Sequence, residues 1–180
     1  SVKEGFVAVT LTWILMSLFG CLPLLITGQI PDFIDAFFEI ASGFTTTGAS
    51  VLPAGEYLSK SMMFWRSFTH FIGGMGILVF ALAVFPKKVD GTVYVMKAEM
   101  PGPSFGKLVS KADITAKILY KIYITMTIAL IIILIFAGMD PYDSMIHAFG
   151  TAGTGGFSNK ALSIAEFNNP LIDYILAIFM

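Results

Sequence analysis

Cysteine is almost absent: Cys21 is the only one, which excludes an intrachain disulfide and a cysteine cluster for metal. Histidine is nearly as scarce. His70 and His147 are remote from each other and from Cys21, so they lack the local ligand spacing of a zinc site. Charge is the third deficit, with 13% of residues charged against 56% hydrophobic and a mean hydropathy of +0.82. A soluble domain carries about 25% charged residues, so this chain needs lipid as its solvent. Scattered Ser, Asp and His residues do not make a nucleophile triad. Glu39, His70 and His147 have no supporting motif either, and an enzyme is not expected. Gly153-Thr154-Gly155-Gly156 follows a short apolar segment, whereas a dinucleotide-binding turn follows a strand.

Long apolar runs are what the chain has in quantity. Val7–Ile26 carries no formal charge and makes a helix of roughly 30 Å, enough to cross a bilayer core. It is too long for the apolar region of a cleavable signal and reads as a retained span. Residues 62–85 form a second candidate span, with only Arg66 and His70 near one end, and residues 122–139 a third without charge. Residues 171–180 begin another apolar helix, too short to cross a bilayer, so a piece of a larger protein is expected.

With the amino end cytoplasmic, three crossings place residues 1–6 and 86–121, which hold most of the lysines, inside. The other interhelical stretches hold Asp32, Asp35, Glu39, Glu56, Asp140, Asp143, Glu166 and Asp173 against Lys60, Lys160 and Arg66. That asymmetry fits the positive-inside rule. The opposite orientation would export nearly all the lysines.

The order of segments repeats. A span, a short apolar helix, a Gly/Thr turn and a second span are followed by a lysine-bearing linker, and the series then starts again. The short helices are expected near 33–42 and 142–150, and the two copies align without a gap. Asp35 falls on Asp143, Glu39 on His147, Thr46 on Thr154, Thr47 on Gly155, Gly48 on Gly156 and Ser50 on Ser158. Irregular backbone at membrane depth is tolerated only where protein encloses it or where it lines a water-filled cavity. The repeat therefore predicts a pore or a binding cavity, and the expected units are residues 1–88, a cytoplasmic linker at 89–112, and residues 113–180.

A cation leaving water needs oxygen ligands, and successive backbone carbonyls supply them without a full charge beside the ion. Glycine allows the backbone angles that turn neighbouring carbonyls toward one axis. Thr45, Thr46, Thr47 and Gly48 suit that task, as do Gly153, Thr154, Gly155 and Gly156. The same segments also read as re-entrant turns whose threonines satisfy the backbone locally. Asp35 and Asp143 are expected to cap the short helices, and the acids together raise cation concentration at the outer mouth. Glu39 and His147 either shape the ion path or make buried contacts behind it. Trp65 suits an interfacial belt. Arg66 either snorkels outward or pairs with an acid such as Glu39, and pairing is preferred because a fixed positive charge on the path would repel a cation. Gly73, Gly74 and Gly76 suit close helix packing.

These residues in this order resemble the Trk/Ktr/HKT superfamily of potassium transporters, most closely its bacterial Trk potassium-uptake membrane subunits. The resemblance is carried by Asp35-Ala36-Phe37-Phe38-Glu39, the Ser42-Gly43-Phe44 lead into Thr45-Thr46-Thr47-Gly48-Ala49, Phe64-Trp65-Arg66-Ser67 and Gly73-Gly74-Met75-Gly76-Ile77. Ala98-Glu99, Gly102-Pro103, Lys107-Leu108 and Thr115-Ala116-Lys117-Ile118-Leu119 match the connector and next helix. His147-Ala148-Phe149 with Thr154-Gly155-Gly156-Phe157-Ser158 matches the second pore segment.

The resemblance implies an all-α membrane protein of repeated transmembrane helix, pore helix, filter loop and transmembrane helix units around a pseudo-fourfold pore. This chain would hold the first unit and most of the second. It implies K⁺ as the transported ion, with Thr46, Thr47, Gly48, Thr154, Gly155 and Gly156 as filter positions, and no cofactor in this chain. It implies a multi-pass protein of the bacterial plasma membrane, a homodimer in contact with lipid and a cytoplasmic nucleotide-binding regulatory Trk subunit, with no nucleic-acid partner. The superfamily includes channel-like members and members coupled to H⁺ or Na⁺. A non-conducting structural subunit and a Na⁺/K⁺ transporter are the alternative readings.

Overall fold

A computed structural model describes residues 2–52, 58–76 and 112–180. Every regular element among them is helical. The linker expected at 86–112 lies outside them apart from its last residue, as do Lys87, Lys88, Lys107, Lys111 and the connector motifs.

Helix α1 (Val2–Gly20) and the short α2 (Leu22–Ile26) together form the first apolar span. The sequence reads this stretch as one helix, whereas the structure breaks it for one turn at Cys21. Pro23 stands in the first turn of α2. Its ring nitrogen has no hydrogen to donate to the turn before, so the ladder restarts there. Val7, Leu11, Ile14, Leu15 and Phe19 are exposed, as a lipid-facing helix requires. Gly28, at φ +67°, ends the segment.

The first short helix, α3 (Phe33–Phe44), is about 18 Å long, too short to cross a bilayer. Its cap is Asp32, whose Oδ1 accepts from the backbone N–H of Ile34 at 2.8 Å and of Asp35 at 3.1 Å. The second, α6 (Pro141–Ala152), is capped by Asp140, which accepts from the N–H of Tyr142 at 3.0 Å. This corrects the expectation for Asp35 and Asp143. Both sit inside the first turn, where a side chain cannot reach back as the residue before the helix can.

Helix α4 (Lys60–Gly74) starts at a Ser59 cap and stops at its glycines, with Gly76 at φ +67°. The helix therefore ends inside the span expected over 62–85, and residues 77–85 lie outside the described part. The third apolar run is helix α5 (Ala112–Phe136), which begins earlier than the expected 122 and ends before 139. A turn with Gly138 at φ +98° closes it and returns the N–H of Met139 to the carbonyl of Leu134 at 3.0 Å. Lys117–Phe136 is long and apolar enough to cross a membrane. A 3-10 turn (Ser163–Phe167) leads to α7 (Pro170–Phe179), capped by Asn169.

Each short helix packs against two longer ones. α3 packs against α1 and α4, while α6 packs against α4 and α5, so α4 touches both short helices. One core gathers Cys21, Leu24, Ala36, Ile40, Phe44 and Met63, and includes Ile146 from α6. A second gathers Leu130, Leu134, Met139, Ala148, Ile172 and Leu176. Glycines let these helices meet: a Cβ on Gly73 would lie 2.8 Å from the carbonyl carbon of Phe44. The short helices thus end side by side, each delivering its Gly/Thr segment to the same edge of the bundle.

Candidate functional site

The two Gly/Thr segments have the same backbone. Thr45 and Gly153 follow their helices at φ/ψ of −79°/1° and −80°/−3°. Thr46 and Thr154 then turn to φ 55° and 56°, and Gly48 and Gly156 to φ 75° and 76°. Thr47 and Gly155, between them, are not in the left-handed region. Both segments therefore alternate in handedness residue by residue, at positions the gapless alignment pairs. A β-branched residue at positive φ is strained, by about 1–3 kcal/mol, and here it occurs twice at equivalent positions.

The N–H groups face inward. Those of Thr45, Thr46 and Thr47 donate to the carbonyls of Ala41, Gly43 and Ser42 at 2.9, 3.0 and 2.9 Å. Those of Gly153, Thr154, Gly155 and Gly156 donate to Phe149, Thr151, Gly150 and Gly150 at 3.1, 2.9, 3.0 and 3.1 Å. Among the described residues, no hydrogen bond is donated to the carbonyl oxygens of residues 45–48 or 153–156. Carbonyl oxygens that accept no hydrogen bond are the type of ligand that can replace a cation's water. The segments also touch each other: a Cβ on Gly48 would fall on the carbonyl oxygen of Gly155. Thr45 behaves locally, its hydroxyl donating to the carbonyl of Ala41 at 2.7 Å and meeting the Thr47 hydroxyl at 2.8 Å.

Behind the segments, equivalent residues make equivalent clamps. Glu39 Oε1 accepts from the Ser50 hydroxyl at 2.8 Å and Oε2 from the N–H of Val51 at 2.9 Å. His147, its counterpart on α6, holds the Ser158 hydroxyl through Nε2 at 3.0 Å. His147 Nδ1 lies 2.8 Å from the carbonyl of Asp143, so Nδ1 carries the proton and Nε2 accepts. Both side chains are buried supports.

Arg66 pairs with Glu39, Nε to Oε1 at 2.5 Å, with both side chains buried. Its Nη1 donates to the carbonyl of Ser158 at 3.3 Å, and its guanidinium lies 3.5 Å over the ring of Phe157. The pairing expectation for Arg66 is what the structure shows. Trp65 is half-buried, and its Nε1 donates to the carbonyl of Gly20 at 2.9 Å.

Several contacts were not legible in the sequence. Asp143 accepts from Asn159 Nδ2 at 2.6 Å and pairs with Lys160 at 3.4 Å, and Ser42 ties the carbonyl of Ala49 at 2.6 Å. His70 packs directly behind Gly155; the clustered glycines at 153, 155 and 156 were the available signal. Among the described residues, no group of three or more His, Cys, Asp or Glu side chains converges.

Comparison with known proteins agrees with this geometry. The family model described as TrkH, "Cation transport protein", matches residues 1–180. The chain is 41% identical over 99% of its length to the Trk system potassium uptake protein TrkH of Escherichia coli K12, covering 37% of that protein. It is 31% identical over 98% of its length to the Trk system potassium uptake protein TrkI of Halomonas elongata, covering 36% of it. The crystal structure of the potassium transporter TrkH from Vibrio parahaemolyticus superposes with a TM-score of 0.76 at 35% identity, over 99% of this chain and 35% of that one. The chain thus spans a little over a third of the length of these relatives. With an all-α, multi-helix membrane fold that pairs long helices with short ones, and with a match along its whole length, the chain belongs to the TrkH cation transport family, a family of transporters and not of enzymes.

Proposed function

We propose that this chain forms two quarters of a K⁺ selectivity filter and conducts K⁺ across the bacterial plasma membrane as part of a Trk-type uptake system. Thr46, Thr47 and Gly48 supply one quarter; Thr154, Gly155 and Gly156 supply the next. The observation that carries this reading is the matched alternation of backbone handedness, with every N–H from 45 to 47 and from 153 to 156 tied inward and the carbonyls left open. Carbonyl oxygens replace a cation's hydration shell without trapping it as a carboxylate would, so ions move between weak sites. The choice of K⁺ rests on the relatives, which are potassium uptake proteins by name.

Residues 1–88 form the first unit, 89–112 a cytoplasmic linker and 113–180 the second unit, with two further units completing the ring. The amino end is cytoplasmic, in keeping with the lysine asymmetry. The complete protein works as a homodimer in lipid with a cytoplasmic nucleotide-binding regulatory Trk subunit.

Ion flux into liposomes carrying the full-length protein tests this directly. K⁺ flux well above Na⁺ flux is expected. Absence of cation flux under activating conditions would reject the pore.

A further inference from the structure

His70 on α4 is completely buried. Among the described residues, neither of its ring nitrogens has a hydrogen-bond partner. A buried imidazole with both nitrogens unanswered weakens a fold, so its presence asks for a reason beyond stability.

What the ring touches supplies that reason. A Cβ built on Gly155 would lie 2.5 Å from Cδ2 and 2.7 Å from Cε1 of His70, and one on Gly153 would lie 2.6 Å from the His70 carbonyl oxygen. Phe157, one residue beyond Gly156, has its ring centroid 3.9 Å from the imidazole. Gly155 is not in the left-handed region, so its own backbone would accept an alanine. The ring is the nearest obstacle to one. On the opposite side, the Gly155 carbonyl oxygen occupies the place a Cβ on Gly48 would take. The peptide of Gly155 is therefore held between an imidazole behind and a glycine of the other segment in front.

We propose that His70 is a specificity-determining positioning residue: its ring is the backstop that fixes how far the Gly155 carbonyl advances toward the ion path. This rests on the filter reading above and deepens it. Discrimination between K⁺ and the smaller Na⁺ depends on where the coordinating oxygens stand and how freely they move. Removing the ring opens a void beside the segment, into which its surroundings relax in part, and the oxygen retreats. The imidazole comes from the first unit and the oxygen it places from the second, so a side chain of one unit positions the filter oxygen of the other.

The test is the K⁺/Na⁺ permeability ratio of the full-length protein in liposomes, for wild type, His70→Ala, Gly155→Ala and the double variant. Each single substitution is expected to lower the ratio about fivefold, within the coupling range of contacting residues. The double variant should recover toward wild type, because the added methyl enters the space the ring vacates. Leu134→Ala, in the second core, should lower thermal stability and leave the ratio unchanged. An unaltered ratio in a folded His70→Ala protein, or strictly additive losses in the double variant, would overturn the assignment. Should His70→Ala fail to reach the membrane, His70→Val, which also removes the ring, carries the test: an unchanged ratio overturns the assignment, and a lowered ratio that added Gly155→Ala raises again supports it. A wild type without K⁺ preference would remove the filter reading and this assignment together, which distinguishes that failure from the others.

Discussion

Arg66 on α4 donates from Nη1 to the carbonyl oxygen of Ser158 at 3.3 Å, tying that helix to the backbone that leaves the second Gly/Thr segment. The same guanidinium neutralises Glu39, which in turn holds Ser50 and Val51. One planar fork thus supports the exits of both segments, a task that needs several fixed donors at once.

Breaking that fork should be costly. Arg66→Met leaves Glu39 buried without its counter-charge, a loss of about 3–5 kcal/mol. It should appear as a large fall in the melting temperature of the full-length protein in detergent. Arg66→Lys restores the charge but cannot reach Glu39, Ser158 and the Phe157 ring together, so it should fall between wild type and the methionine variant.

The caps separate residues that the sequence leaves equivalent. Asp32→Ala removes two hydrogen bonds to the first turn of α3 and should cost about 1 kcal/mol. Asp35→Ala, at an exposed position inside the helix, should stay within about 0.5 kcal/mol. Denaturation of the two variants side by side checks the order. Equal losses would return the cap to Asp35.

Helix contact at the glycines is equally open to test. Gly73→Ala places a methyl against the backbone of Phe44, which cannot swing aside as a side chain would. Overpacking of this kind costs about 1–3 kcal/mol. Thermal unfolding should show the loss, and an unchanged melting temperature would contradict the close α3–α4 approach.

Much of this was legible before any coordinates. Lipid as solvent followed from the scarcity of charge, and the alignment that pairs Thr46 with Thr154 and Gly48 with Gly156 also pairs their backbone angles. Pairing of Arg66 with an acid such as Glu39 was preferred because a fixed positive charge on the path would repel a cation. Helix ends were harder. Periodicity sees apolar surface, and it runs on through Cys21 and Gly76, where Pro23 and the glycines interrupt the hydrogen-bond ladder. It also placed the caps inside the first turn, because aspartates on both sides of the boundary look alike in sequence. His70 behind Gly155 was hidden for a different reason: the contact joins residues far apart in the chain, and only packing brings them together.

Gly48 carries the central idea, and Gly28 is its natural control. Both sit at positive φ, 75° and 67°, but a Cβ on Gly28 meets open space, whereas one on Gly48 meets the Gly155 carbonyl. The decisive measurement is the K⁺ to Na⁺ flux ratio through liposomes bearing full-length Gly48→Ser beside full-length Gly28→Ser. Loss of K⁺ preference in Gly48→Ser alone is the expected result; a folded Gly48→Ser protein that keeps the wild-type ratio would contradict the filter.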